Sequence, residues 1–115
     1  MITRKVVKPW GYELIYAETE KYVGKVLFIL KGQQLSLQYH KLKDETIYLY
    51  KGMAELTIQD SNDTYQVNRM SVGNSYRIKP GCIHRISAIS NCEFLEVSTP
   101  ELNDVIRLED RYGRI

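Results

Sequence analysis

The chain is poor in several features that define whole classes of protein. Its longest apolar run, Val26-Leu27-Phe28-Ile29-Leu30, falls far short of the roughly 20 residues a membrane-crossing helix needs, and the opening residues carry no apolar signal-peptide core. No membrane association is expected, and the cytoplasm is the expected location. There are only two cysteines, Cys82 and Cys92, and in a reducing compartment they are expected to remain free thiols. No basic block exists: the 16 Lys and Arg residues are scattered among 14 Asp and Glu, and a net charge of +2 makes no case for a nucleic-acid partner. Repeats, low-complexity tracts and linkers are missing too. Residues 1–115 are therefore expected to fold as one domain, long enough to bury roughly two-thirds of its unfolded surface.

What is present is β-forming. Segments rich in Val, Ile, Leu, Tyr and Thr recur about every 8–12 residues between short turn-forming clusters, the pattern of an antiparallel sandwich or barrel. Strands are predicted over 12–16, 22–30, 35–40, 46–50, 54–59, 64–67, 75–78, 84–88 and 94–98. Turns are predicted at Lys31-Gly32, Lys51-Gly52, Asp60-Ser61-Asn62-Asp63, Gly73-Asn74 and Pro80-Gly81, where Gly and Asn tolerate positive φ. In the tail, Leu102, Val105, Ile106 and Leu108 fit either a short helix or an irregular return strand.

The segment Leu35-Ser36-Leu37-Gln38-Tyr39-His40 alternates, which places Ser36, Gln38 and His40 on one face and Leu35, Leu37 and Tyr39 on the other. Read with its surroundings, Gly32, Gln38, His40, Glu45 and Gly52 are spaced as in the first cupin motif, Gly-x5-His-x-His-x4-Glu-x6-Gly, with Gln38 at the first ligand position. The run Gly73 to Pro80-Gly81-Cys82-Ile83-His84 resembles the second cupin motif. His40 and His84 are the only histidines, and both fall on ligand positions. The resemblance implies a small all-β cupin barrel of the double-stranded β-helix or jelly-roll type. It further implies one divalent ion held by Gln38, His40, Glu45 and His84. Imidazole, carboxylate and amide donors without thiolate suit Zn²⁺, Fe²⁺, Mn²⁺, Co²⁺ or Ni²⁺, with Zn²⁺ the first expectation. Cys82 is read as turn packing, Trp10 as a core or interface anchor, and Arg85 as pointing away from the ligands.

Three further stretches narrow the resemblance: Lys8-Pro9-Trp10-Gly11-Tyr12-Glu13-Leu14, the Gln38-Tyr39-His40 strand, and Val105-Ile106-Arg107-Leu108-Glu109-Asp110-Arg111-Tyr112-Gly113-Arg114. Together they are similar to the type II mannose-6-phosphate isomerase family, whose cupin is often fused behind a mannose-1-phosphate guanylyltransferase. The chain resembles that cupin alone, and guanylyltransferase activity is not expected of it. The family interconverts mannose 6-phosphate and fructose 6-phosphate through an enediol, which implies a sugar-phosphate partner. Glu45 and Lys43 are the candidate catalytic residues, and Lys43, Arg107 and Arg114 the candidate substrate-binding residues, with Arg111 beside them; a solvated tail whose arginines pair with Glu109 and Asp110 fits the same residues equally well. Where the family reads Gln-Met-His-His-His-Arg-x-Glu-His-Trp, this chain has Lys41, Leu42, Lys43, Thr46 and Ile47 at the five changed positions after His40. Lys43 keeps a charge but not the bidentate fork of arginine, so isomerisation is expected to be slow. The alternatives are a cupin that binds a sugar or sugar phosphate without turnover, or another metal-dependent cupin enzyme of sugar-nucleotide metabolism. A homodimer formed through edge strands is expected.

Overall fold

A computed structural model describes residues 3–60 and 62–115 and builds them entirely from strands and connecting turns. In chain order these are β1 (Arg4–Lys8), β2 (Gly11–Glu18), β3 (Val23–Ile29), β4 (Leu37–Tyr39), β5 (Glu45–Lys51), β6 (Ala54–Gln59), β7 (Tyr65–Met70), β8 (Ser75–Ile78), β9 (His84–Ala88), β10 (Cys92–Ser98) and β11 (Ile106–Glu109). One antiparallel sheet runs β1-β2-β3-β10-β5-β8 and the other β11-β4-β9-β6-β7. The two close over a shared interior, the jelly-roll barrel expected from the sequence. No helix among the described residues is long and apolar enough to cross a membrane.

Alternation decides what enters that interior. On β3, β5, β9 and β10 the inward rows include Leu27 and Ile29, Ile47 and Leu49, Ile86 and Ala88, and Cys92 and Phe94, all buried. Phe94 lies opposite Leu27 on one side and Leu49 on the other, so these three fill one another's gaps. Trp10 joins this core, at only 3% exposure. The chain can enter β2 beside it because residue 11 is glycine: at φ 151°, a β-carbon there would overlap the Phe28 carbonyl. Both cysteines are free thiols.

Two expectations need correction, and an alternative left open is decided. The strand β1 went unpredicted because Arg4, Lys5 and Lys8 hide its apolar pair; it is an edge strand, where charge blocks further strand pairing. Of the two courses open to the tail, it takes the irregular return strand, with β11 pairing with β4 across a register shift after Arg107. The strand predicted over 35–40 shortens to Leu37–Tyr39, because Gln34 bridges Ser87 while Gln38 pairs with His84. Four residues on one side thus span three on the other, a bulge. It turns Leu35 onto the core, onto the Gln38 side rather than away from it. Ser61, within a predicted turn, lies outside the described residues.

Candidate metal centre and the cleft beside it

At one end of the barrel the inward rows change character. The row on β5 begins with Glu45, that on β9 with His84, and His40 follows the end of β4, so three donors meet where three strands converge. One donor atom from each lies within 4.8 Å of the others, and all three residues are buried. Glu45 Oε1 stands 3.2 Å from His40 Nε2 and 3.5 Å from His84 Nε2.

The far ring nitrogens explain why both Nε2 atoms face inward. His40 Nδ1 is hydrogen-bonded to the Asp104 carbonyl, and His84 Nδ1 lies 2.9 Å from the Cys82 carbonyl. A carbonyl only accepts, so each Nδ1 carries a proton and each Nε2 is the atom turned to Glu45, donating to the carboxylate in the metal-free chain and free to offer a lone pair to an ion once that proton has left. Burial alone would raise the Glu45 carboxyl, but hydrogen bonding from His40 and His84 and the Lys43 charge hold it well below the usual glutamate value. It stays a carboxylate. Two oriented imidazoles and one carboxylate fit a borderline divalent ion in donor chemistry. Gln38 pairs directly across from His84, and its amide oxygen accepts from Ser36 Oγ at 2.7 Å. One of its two lone pairs is left for a further contact.

Asp104 holds the ligand loop, and sequence reasoning passed it over. Its carboxylate accepts from the backbone N–H groups of Lys41, Leu42 and Lys43 at 2.7–3.0 Å, which pulls its pKa down to about 2. No motif marks it, because it approaches from 61 to 63 residues downstream only through the fold.

Beside the centre runs a chain of buried charge that the sequence reading also missed. Lys43 Nζ lies 3.1 Å from Glu45 Oε2 and 3.3 Å from Glu96 Oε2, while Lys25 Nζ lies 4.0 Å from Glu96 Oε2 and 3.3 Å from Glu13 Oε2. Glu96 Oε2 is within ion-pair range of both ammonium groups but accepts a well-directed hydrogen bond from neither. Burial and the nearby Glu45 charge push Glu96 up to about 7. Burial works against the charge on Lys43, yet Glu96 and Glu45 outweigh it and raise its pKa, so Lys43 is a fixed cation. A readable signal existed: Lys25 shares its inward row with Val23, Leu27 and Ile29, and Glu96 with Cys92, Phe94 and Ser98.

A cleft of about 190 Å³ opens against this charge chain. Gln38 and Lys43 link it to the metal donors; Glu13, Lys25, Arg107 and Arg114 line it farther out. Arg107 sits opposite Gln38 across β11 and β4, and its buried Nε has no hydrogen-bond partner. Arg114 also reaches the cleft, but its guanidinium grips Asp110 through two 2.8 Å hydrogen bonds. Arg111 is used elsewhere, donating to the Gly32 carbonyl at 2.7 Å. Arg85 points to the other face of β9, toward the Leu35 carbonyl and Glu109. Lys41, Leu42 and Thr46, at three of the positions where the family pattern has changed, are exposed and outside the cleft, and Ile47 is core.

Fold and donor set together define a cupin barrel. The chain matches the family model described as mannose-6-phosphate isomerase C-terminal over residues 1–110, and it belongs to that family. It is 33% identical to mannose-1-phosphate guanylyltransferase ManC of Salmonella typhimurium over 97% of this chain and 23% of that protein. With the xanthan biosynthesis protein XanB of Xanthomonas campestris it shares 30% identity over 96% of this chain and 24% of that one. The chain thus spans about a quarter of the length of these relatives. Among solved structures, oxalate decarboxylase from Bacillus subtilis superposes with a TM-score of 0.80 over 92% of this chain and 30% of that one, at 22% identity. Oxalate decarboxylase from Lactobacillus farciminis gives 0.79 at 21% identity, over 92% and 34%. Both show the fold.

Proposed function

We propose that the chain is a divalent-metal-dependent aldose–ketose isomerase acting on a phosphorylated sugar of the mannose 6-phosphate to fructose 6-phosphate type. The observation that carries this reading is the meeting of the His40–Glu45–His84 donor set with a cationic cleft in a member of this family. Held by those residues and by Gln38, a divalent ion would supply polarisation of substrate oxygens. Lys43, a fixed buried cation, stands beside the donors and favours negative charge developing on the substrate. A base it cannot be, since it does not release its proton near neutral pH.

Proton transfer between C1 and C2 still needs a base. Glu13 is the only carboxylate among the residues lining the cleft, and the Lys25 ammonium 3.3 Å away holds it in place. Glu45 is less suited, with one oxygen turned to the imidazoles and the other to Lys43. This reading therefore assigns the transfer to Glu13. Arg107, with its unpartnered buried Nε, is the group best placed to receive a phosphate.

Metal-loaded protein is incubated with mannose 6-phosphate in deuterated water, with each of Zn²⁺, Mn²⁺, Fe²⁺, Co²⁺ and Ni²⁺. Fructose 6-phosphate carrying deuterium from solvent supports the reading. Tight binding of the sugar phosphate with neither product nor exchange under any metal rejects it in favour of a binding module.

A further inference from the structure

The metal centre and its cleft leave part of the Lys8-Pro9-Trp10-Gly11 stretch without a task. Trp10 enters the core and Gly11 lets β2 approach Phe28, while Lys8 faces the cleft, half-buried. Its mount is rigid. Lys8 ends β1 opposite Gly11, across a turn of Pro9 and Trp10 in which proline fixes φ and the Trp10 carbonyl accepts from the Leu30 N–H at 2.9 Å. Cationic side chains are common along the cleft, but most already have partners. Arg4 is 2.9 Å from Glu18, Lys25 3.3 Å from Glu13, Lys43 3.1 Å from Glu45 and Arg114 2.8 Å from Asp110. That leaves Lys8, whose ammonium has no hydrogen bond or ion pair among the described residues, and Arg107, whose buried Nε has no hydrogen-bond partner. The two come from edge strands of different sheets and line one cleft, so they approach a ligand there from different sides.

Register fixes how far along the cleft Lys8 stands. Glu13, the carboxylate assigned to proton transfer, lies opposite Val6 of β1, and Lys8 is two residues beyond Val6 on the same face. On a strand that is a step of about 7 Å. Arg4, two residues the other way, is level with Ile15 and Lys25, and Lys25 with Glu96. The cleft face of β1 therefore runs from the buried charge chain at Arg4 to the apolar end of the barrel at Lys8, whose partner Gly11 is level with Ile29 and Cys92. Taking the cleft as a sugar-phosphate site, as proposed above, we infer that Lys8 receives the phosphate together with Arg107, and that its place on β1 makes the cleft select hexose over triose phosphates. In a hexose 6-phosphate the phosphate sits at the opposite end of the carbon chain from C1 and C2. With C1 and C2 held between Glu13 and the metal donors, a chain of that length carries the phosphate to Lys8. In a triose phosphate a single carbon and the ester oxygen separate the phosphate from the reacting carbons, so it stops short, beside Val6, which offers no charge. The braced turn holds the ammonium in place before the ligand arrives, which lowers the ordering cost of binding.

Titration calorimetry of the metal-loaded chain tests this. Mannose 6-phosphate is expected to bind more tightly than mannose, and Lys8→Met to weaken the phosphorylated sugar by about tenfold, the loss of one charge-assisted hydrogen bond, with mannose unchanged. Lys8→Arg should retain most of the affinity, and Lys8→Gln gives the same reading should Lys8→Met not fold by circular dichroism. Glyceraldehyde 3-phosphate is expected to bind the wild type and Lys8→Met alike. A wild type that binds mannose 6-phosphate no more tightly than mannose would take down the proposed function and this inference together. A clear preference for the phosphorylated sugar that Lys8→Met leaves intact would overturn the inference alone and leave the phosphate to Arg107. Equal weakening of mannose and mannose 6-phosphate would overturn it too, making Lys8 a structural residue, and equal losses for the triose and hexose phosphates would reject selection by length.

Discussion

The two ends of the barrel interior are lined by the same strands and differ in almost everything else. At one end, Phe94 of β10 packs against Leu27 of β3 and Leu49 of β5 with no polar atom among the side chains. Two residues farther along the same inward rows, Glu96 stands directly opposite Lys25, and beyond it Ser98 lies opposite Glu45. A single step of the pleat separates a close-packed apolar core from a buried charge chain. The apolar end holds the strands in register, and that register presents His40, Glu45 and His84 to one another. Stability and chemistry are divided along each strand rather than between strands.

That division is breakable from either side. The largest effect is expected at the donors: His40→Ala or His84→Ala should weaken binding of Zn²⁺ or Mn²⁺ by at least about 100-fold, since one imidazole and oxygen donors remain. Titration calorimetry checks it, and unfolding of the metal-free protein should change far less than binding does. The opposite signature is expected of Phe94→Ala, a buried large-to-small change costing about 3–5 kcal/mol in urea unfolding. Metal stoichiometry of the folded fraction should stay unchanged. If Phe94→Ala lost the metal at unchanged stability, the two ends would not be separable.

Glu96 sharpens the comparison through pH. Its carboxyl sits at about 7 in the folded chain against an ordinary 4.5, so between those values the folded form holds a proton that the unfolded form has released. Its contribution to stability is whole below 4.5 and is lost as pH rises through 7, whereas the lowered Glu45 acts below that window. In metal-free protein, unfolding free energy should therefore decline across the window, and Glu96→Gln should flatten the decline. An unchanged slope in the variant would mean that another group carries the proton. The smallest effect is expected outside the interior, at Asp104→Ala. Losing the acceptor for Lys41, Leu42 and Lys43 should loosen the ligand loop and weaken metal affinity by about tenfold, with the donors themselves intact.

Local patterns alone determined much of this protein. Alternation of apolar residues marks most of the strands, since a pleated strand has only two sides and one of them must be buried. The spacing of His40, Glu45 and His84 marks three residues that meet at one end of the barrel, because the strands that carry or adjoin them all reach that end. Tertiary structure decided what depends on pairing. Leu35 turned inward because a bulge opposite Ser87 shifted its parity. Lys25, Glu96 and Lys43 became one charge chain because antiparallel register set residues 71 apart across from each other on β3 and β10. Asp104 reached the ligand loop, and Arg111 turned away to Gly32, through a tail whose course no local periodicity encodes. Contacts between neighbours on one strand follow from its sequence; contacts across the barrel depend on which strands lie side by side, and that is settled only when the whole interior is packed at once.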